Sequence, residues 1–208
     1  MYQTKNKNYA IIAVFYYVLF MLGYLLMGIL YKSGSKYYSA IQWLLLVIAV
    51  LIVVIKDKSV VNLGFTKEKI RSNLLIAAII VAISVGIAFL YTDRSANVIT
   101  KAVLYYLFYI ALQEEMIFRG FIQNYLFGLS VDKKAFFIIG AVLFSLAHLP
   151  FQMFVNDAIS FSYVIEALPQ LLFTFLLHLI MCFITDKRKD ILVPVALHFA
   201  LNFLQEVL

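Results

Sequence analysis

Residues 9–31 read YAIIAVFYYVLFMLGYLLMGILY, an apolar run without one charged side chain. At 1.5 Å per residue such a helix crosses the ~30 Å hydrocarbon core of a bilayer, which takes about 20 apolar residues. The run is longer than the roughly 7–15 residues of a signal-peptide core, and Lys32-Ser33-Gly34-Ser35-Lys36 follows it in place of a small-residue cleavage site. It therefore reads as a retained span.

The pattern recurs at residues 38–55, 74–91, 102–127, 135–149, 163–185 and 191–208. Charged connections separate the runs: Lys56-Asp57-Lys58, Thr92-Asp93-Arg94, Val131-Asp132-Lys133-Lys134 and Asp186-Lys187-Arg188-Lys189-Asp190. The expected fold is all-α, a polytopic membrane helical bundle of about seven transmembrane helices. Composition agrees, because 64% of the chain is hydrophobic, 13% is charged and the mean hydropathy is +0.96. Soluble domains carry about 25% charged residues. Residues 56–73 mix Val60, Val61, Leu63 and Phe65 with Lys67, Lys69 and Arg71, which suits an amphipathic segment in the headgroup region or a solvated loop. Pro169 is expected to kink or start the sixth helix.

The net charge of +6 does not imply nucleic acid, because Lys and Arg cluster in the connections. The side of the N-terminus collects twelve of them, against Lys32, Lys36, Arg94 and Lys101 on the other, which predicts a cytoplasmic N-terminus. The single cysteine, Cys182, excludes an intramolecular disulfide and reads as a small apolar filler.

A charge at the bilayer centre costs on the order of 2.5–3.5 kcal/mol on the insertion scale, so those that persist face the protein interior and carry function. The densest group is Gln113-Glu114-Glu115-Met116-Ile117-Phe118-Arg119 in the fourth run. At helical spacing Glu115 and Arg119 pair along one face, and Glu114 points about 100° away. One carboxylate thus has a counter-ion, and the other is left suited to accepting a proton. The structural alternative is an ion cluster of all three. His148 lies in Phe144-Ser145-Leu146-Ala147-His148, and His198 shares a helical face with Asn202 at i,i+4. Two histidines, an asparagine and paired carboxylates on three helices form a constellation that points to chemistry. His178 and Glu166 lack such company; His178 is expected to be a packing residue and Glu166 to reach the interface.

These segments together resemble the signatures of the CAAX protease and bacteriocin-processing (CPBP, or Abi) family of intramembrane proteases. They match as EExxxR at Glu114, Glu115 and Arg119, FxxxH at Phe144 and His148, and HxxxN at His198 and Asn202. Arg119-Gly120-Phe121 continues the family's Arg-Gly-apolar habit, and residues 191–197 look like its apolar run into the last histidine. The resemblance covers residues 102–202. It makes residues 102–208 a catalytic helical core and residues 1–101 the N-terminal transmembrane helices and connections of one integral membrane domain. The bulky Phe and Leu of the sixth run depart from the small glycines common in the family.

The resemblance implies an endopeptidase that hydrolyses a peptide bond in a membrane-associated peptide or protein, either a CAAX-type protein or a leader, pheromone or bacteriocin peptide. In that role Glu114 is the general base on a captured water that His148 helps to hold and polarise. His198 and Asn202 stabilise the oxyanion, and Arg119 with Glu115 lock the helix and tune Glu114. No cofactor is expected, since similarity to prenyl-protein proteases favours a glutamate mechanism without metal. In a metal-dependent variant a divalent ion such as zinc would take Glu114, His148 and His198 as ligands, although the HExxH pattern is missing. On the expected topology Glu114 and His148 lie about 14 residues from the cytoplasmic ends of their helices and His198 about 8. That leaves an offset of about 9 Å for tilt to absorb.

Two other classes fit the same residues. One is a non-proteolytic bacteriocin self-immunity factor or a scaffold that regulates a membrane sensor, on the same fold. The other is a proton-coupled transporter, whose discriminating internal repeats with broken helices do not occur in this sequence. Richness in Lys, Ile, Phe and Asn suits a bacterial plasma membrane.

Overall fold

The computed structural model describes residues 2–3, 5–129 and 132–208, so Val131 of the fourth connection lies outside the described residues. Each apolar run is helical, and no strand occurs among the described residues. The main helices are α1 (Lys7–Lys32), α2 (Ala40–Asp57), α3 (Ile70–Tyr91), α4 (residues 96–126), α5 (Lys133–Val155), α6 (Leu168–Arg188) and α7 (Leu192–Val207). Five of them, α1, α2, α3, α5 and α6, are long and apolar enough to cross a bilayer. The helix α7 has 16 residues, and α4 is divided by π-helical stretches at Tyr105–Ala111 and Glu115–Ile122. The protein is an integral membrane helical bundle.

The three largest boundary shifts from the sequence expectation lie in α4, α5 and α6. α4 begins at residue 96, not 102. α5 does not stop at 149; it breaks at Ala147 and His148 and resumes as Leu149–Val155. Pro150 sits in the first turn of the resumed segment, where its missing N–H removes no helical bond. α6 begins at Leu168 rather than 163, with Pro169 in its first turn, and Phe161–Glu166 is a separate short helix capped by Ser160.

The helix ends gather on two faces. On the face of the N-terminus, Tyr9 and Tyr125 both donate to Asp57 (2.9 Å each), the Thr66 amide donates to Asp190 (3.2 Å), and Lys133 pairs with Asp186. On the opposite face Lys32 pairs with Asp157, and Arg94 donates to the Glu206 carbonyl (2.8 Å). Successive helices therefore alternate in direction.

Helix α1 holds α4 through an aromatic ladder of edge-to-face pairs: Tyr9 on Tyr125 (4.8 Å), Tyr16 on Phe121 (4.8 Å) and Phe20 on Phe118 (5.0 Å). Between membrane helices, where lipid is as apolar as the core, such packing carries the association. Each pair contributes about 0.5–1.5 kcal/mol beyond burial. A second cluster joins Ile191, at the cap of α7, and Val195, Phe199 and Phe203 of α7 to Ala88 of α3 and Ala111 of α4.

The segment between α2 and α3 is neither a headgroup helix nor a plain solvated loop. Its Val61–Leu63 turn dips into the bundle with Leu63 and Gly64 buried, and the Gly64 carbonyl accepts from the Ile191 amide (3.0 Å) just before α7 begins. A Cβ on Gly120 would overlap the Leu63 carbonyl, which explains the glycine after Arg119. α7 thus starts recessed from the face. The π-helical stretch Glu115–Ile122, with more residues per turn than an α-helix, draws Glu115 towards the same face. Both effects remove the expected 9 Å offset: His198 Nδ1 lies 2.8 Å from Glu115 Oε1.

Candidate active site

The consecutive carboxylates part company as helical geometry requires. Glu115 is sealed, with 0% of its side chain exposed, whereas 15% of the Glu114 side chain is exposed. Glu115 pairs with Arg119 one turn on, and Arg119 is also fully buried. The guanidinium lies over the Phe144 ring, 4.9 Å from its centroid, and its Nε and Nη2 have no hydrogen-bond acceptor among the described residues. A cation facing a ring in a dry interior gains on the order of 2 kcal/mol, which offsets part of that deficit.

His198 is held by this pair. With Nδ1–H donating to Glu115, its Nε2 is directed at Glu114 Oε2, 3.8 Å away. His148 is held differently, because its Nδ1 lies 2.9 Å from the Phe144 carbonyl one turn earlier. With that nitrogen protonated, Nε2 is left free. The α5 break at Ala147 and His148 lies at this point. Phe144 serves all three motifs, with its ring packed edge-on against His148 (5.0 Å) and His198 (6.3 Å) and its face under Arg119.

Glu114, His148, His198 and Asn202 line one cavity of about 540 Å³ between α4, α5, α6 and α7. Asn202 follows His198 by one turn and faces the same space. On the α1 side Glu114 and His148 abut Phe20, Tyr24, Phe118 and Ala147. Glu115 and Arg119 stand behind this wall, sealed from the cavity. His178 is fully buried, with Nε2 3.2 Å from Gln123 Oε1 and Cys182 beside the same amide oxygen. Glu166 is exposed on its short helix.

Sequence reasoning did not pick out Tyr105, Tyr106, Gln170, Thr174 or Gln205, which also line the cavity. Gln170 and Gln205 carried a readable signal as uncharged polar residues in apolar runs. The tyrosines carried none, since this chain has 14 of them.

Among the described residues no group of three His, Cys, Asp or Glu side chains converges as ligands would. One nitrogen of each cavity histidine is already committed, His198 to Glu115 and His148 to the Phe144 carbonyl.

No curated protein and no solved structure matches the chain. A family profile described as type II CAAX prenyl endopeptidase Rce1-like matches residues 96–204. The match runs from the first residue of α4 almost to the end of α7 and takes in Glu114, Glu115, Arg119, His148, His198 and Asn202, so the chain belongs to the Rce1-like family of type II CAAX prenyl endopeptidases.

Proposed function

We propose that the protein is an intramembrane endopeptidase that hydrolyses a peptide bond of a membrane-associated peptide or protein with a water activated by Glu114. The observation that carries this reading is the shared cavity: Glu114, His148, His198 and Asn202 come from three helices and line one space, while Glu115 and Arg119 are kept out of it. Glu114 takes a proton from the water as its oxygen adds to the scissile carbonyl carbon, with the His148 Nε2 edge holding the water. His198, carrying a second proton on Nε2 while its Nδ1–H stays on Glu115, and the Asn202 amide donate to the oxyanion. The proton on Glu114 then passes to the leaving nitrogen as the C–N bond breaks.

Arg119 and Glu115 act at one remove, fixing which His198 nitrogen faces the cavity. We further propose that the reaction needs no metal, and that the N-terminus and its basic face lie in the cytoplasm of a bacterial plasma membrane. The substrate class is a CAAX-type protein or a leader, pheromone or bacteriocin peptide.

The test is purified protein in lipid nanodiscs, incubated with prenylated CAAX peptides and leader peptides and analysed by product mass. Wild type should release defined fragments that Glu114→Gln does not, at a rate unchanged by chelator. Equal cleavage by both forms would sink the assignment of Glu114, and loss on chelation with recovery on zinc would overturn the metal-free route.

A further inference from the structure

Outside the catalytic cavity, α3 carries a stripe at helical spacing, Ile70, Leu74, Ala78, Ala82 and Val85, that runs through two adjoining hollows. Ile70 lines a cavity of about 610 Å³ on the face of the N-terminus, together with Lys5, Ser59, Asn62, Lys67 and Glu68. From Leu74 onward the stripe lines an apolar groove of about 700 Å³ shared with α4 and α7. Phe65 forms a wall of both. Ala78 and Ala82 are exposed, and their small side chains keep the groove open between the bulkier exposed Leu75, Ile79 and Ile83.

Charge and length both identify an occupant. The polar cavity offers two ammonium groups, Lys5 and Lys67, against the single carboxylate of Glu68, and Lys69 and Arg71 adjoin it in sequence. From Leu74 to Val85 the groove follows α3 for about 16 Å at 1.5 Å per residue. One leaflet of hydrocarbon is about 15 Å deep. We propose that the two hollows together hold one anionic phospholipid of the bilayer, with its phosphate at Lys5 and Lys67 and an acyl chain along α3. The chain would press on Leu112, two residues before Glu114, and on Val195, three before His198. A lipid would thus brace both helices that carry the candidate active site.

The test uses the full chain in neutral detergent, mixed with equal amounts of phosphatidylglycerol and phosphatidylcholine, with retained lipid counted by native mass spectrometry. Phosphatidylglycerol should be retained about fivefold over phosphatidylcholine, the ratio that ~1 kcal/mol for one net basic residue supplies. The double variant Lys5→Ala/Lys67→Ala should lose the preference. Ala78→Phe fills the groove from an exposed position without disturbing the core, and should lower occupancy by both lipids. Equal retention by wild type, or an unchanged preference in the lysine variant, overturns the headgroup assignment. Unchanged occupancy in Ala78→Phe overturns the groove. None of these readouts depends on peptidase activity.

Discussion

Two polar regions adjoin each other inside this bundle and differ mainly in their access to solvent. The cavity wall of Glu114, His148 and Asn202 is partly open, whereas Glu115, Arg119, Gln123 and His178 are closed off and pair among themselves and with His198. The two regions use nearly the same residue types. What separates them is a step of about 100° around α4, which puts one carboxylate against a guanidinium and its neighbour against open space. Residue chemistry alone therefore does not mark a reactive group in a membrane; the partner and the access do.

The comparison can be broken most directly at Glu114. Glu114→Gln keeps shape and should cost about 10³-fold in peptidase rate, equivalent to about 4 kcal/mol of transition-state stabilisation, with thermal stability unchanged. A variant that retained its rate would erase the distinction between the two regions. The sealed side should respond the other way. Arg119→Met leaves Glu115 charged and buried without its cation, and should destabilise the fold by about 3–5 kcal/mol in a denaturation assay. Glu115→Gln/Arg119→Met should recover much of that loss, and failure to do so would locate the role of Arg119 in its contact with Phe144.

The histidines sharpen the contrast at smaller amplitude. His148→Ala should lower the rate about 10²-fold, whereas His178→Phe, behind the wall, should change it by no more than a few-fold. A rate loss in His178→Phe as large as that in His148→Ala would merge the regions. The smallest effect is expected at Asp190, where burial raises the carboxyl against the pull of the Leu192 and Thr66 amides. A raised folded-state value means that its contribution is most favourable below the ordinary carboxylate range and is lost as pH rises through it. Asp190→Asn should flatten that part of the stability profile and shift neutral-pH stability by less than about 1 kcal/mol.

The helical bundle was legible because lipid forbids unsatisfied backbone, so long apolar runs have few alternatives. The i,i+4 pairs were legible for a similar reason: Glu115 with Arg119, Phe144 with His148 and His198 with Asn202 follow from the helical period alone. The inward fold of Leu63 and Gly64 was not legible, because a short mixed segment pairs with distant partners, Gly120 and Ile191, that no local pattern announces. The depth of His198 was misjudged for the same reason, and also because counting at 1.5 Å per residue assumes α-helical geometry where α4 is π-helical. The cavity's tyrosines were hidden because, for an aromatic side chain, facing a cavity and facing lipid look alike in a sequence.

The π-helical stretch from Glu115 to Ile122 also gives α4 a tolerance in chain length. A wide turn is an ordinary helix carrying a surplus residue, and excising one residue there would let the stretch relax to 3.6 per turn. The surplus residue and the extra width would go together, so the segment before the cut would keep nearly its bearing on the aromatic ladder of α1. Glu114 would still face the cavity. Family members one residue shorter across this turn would therefore spell the same site with a letter fewer.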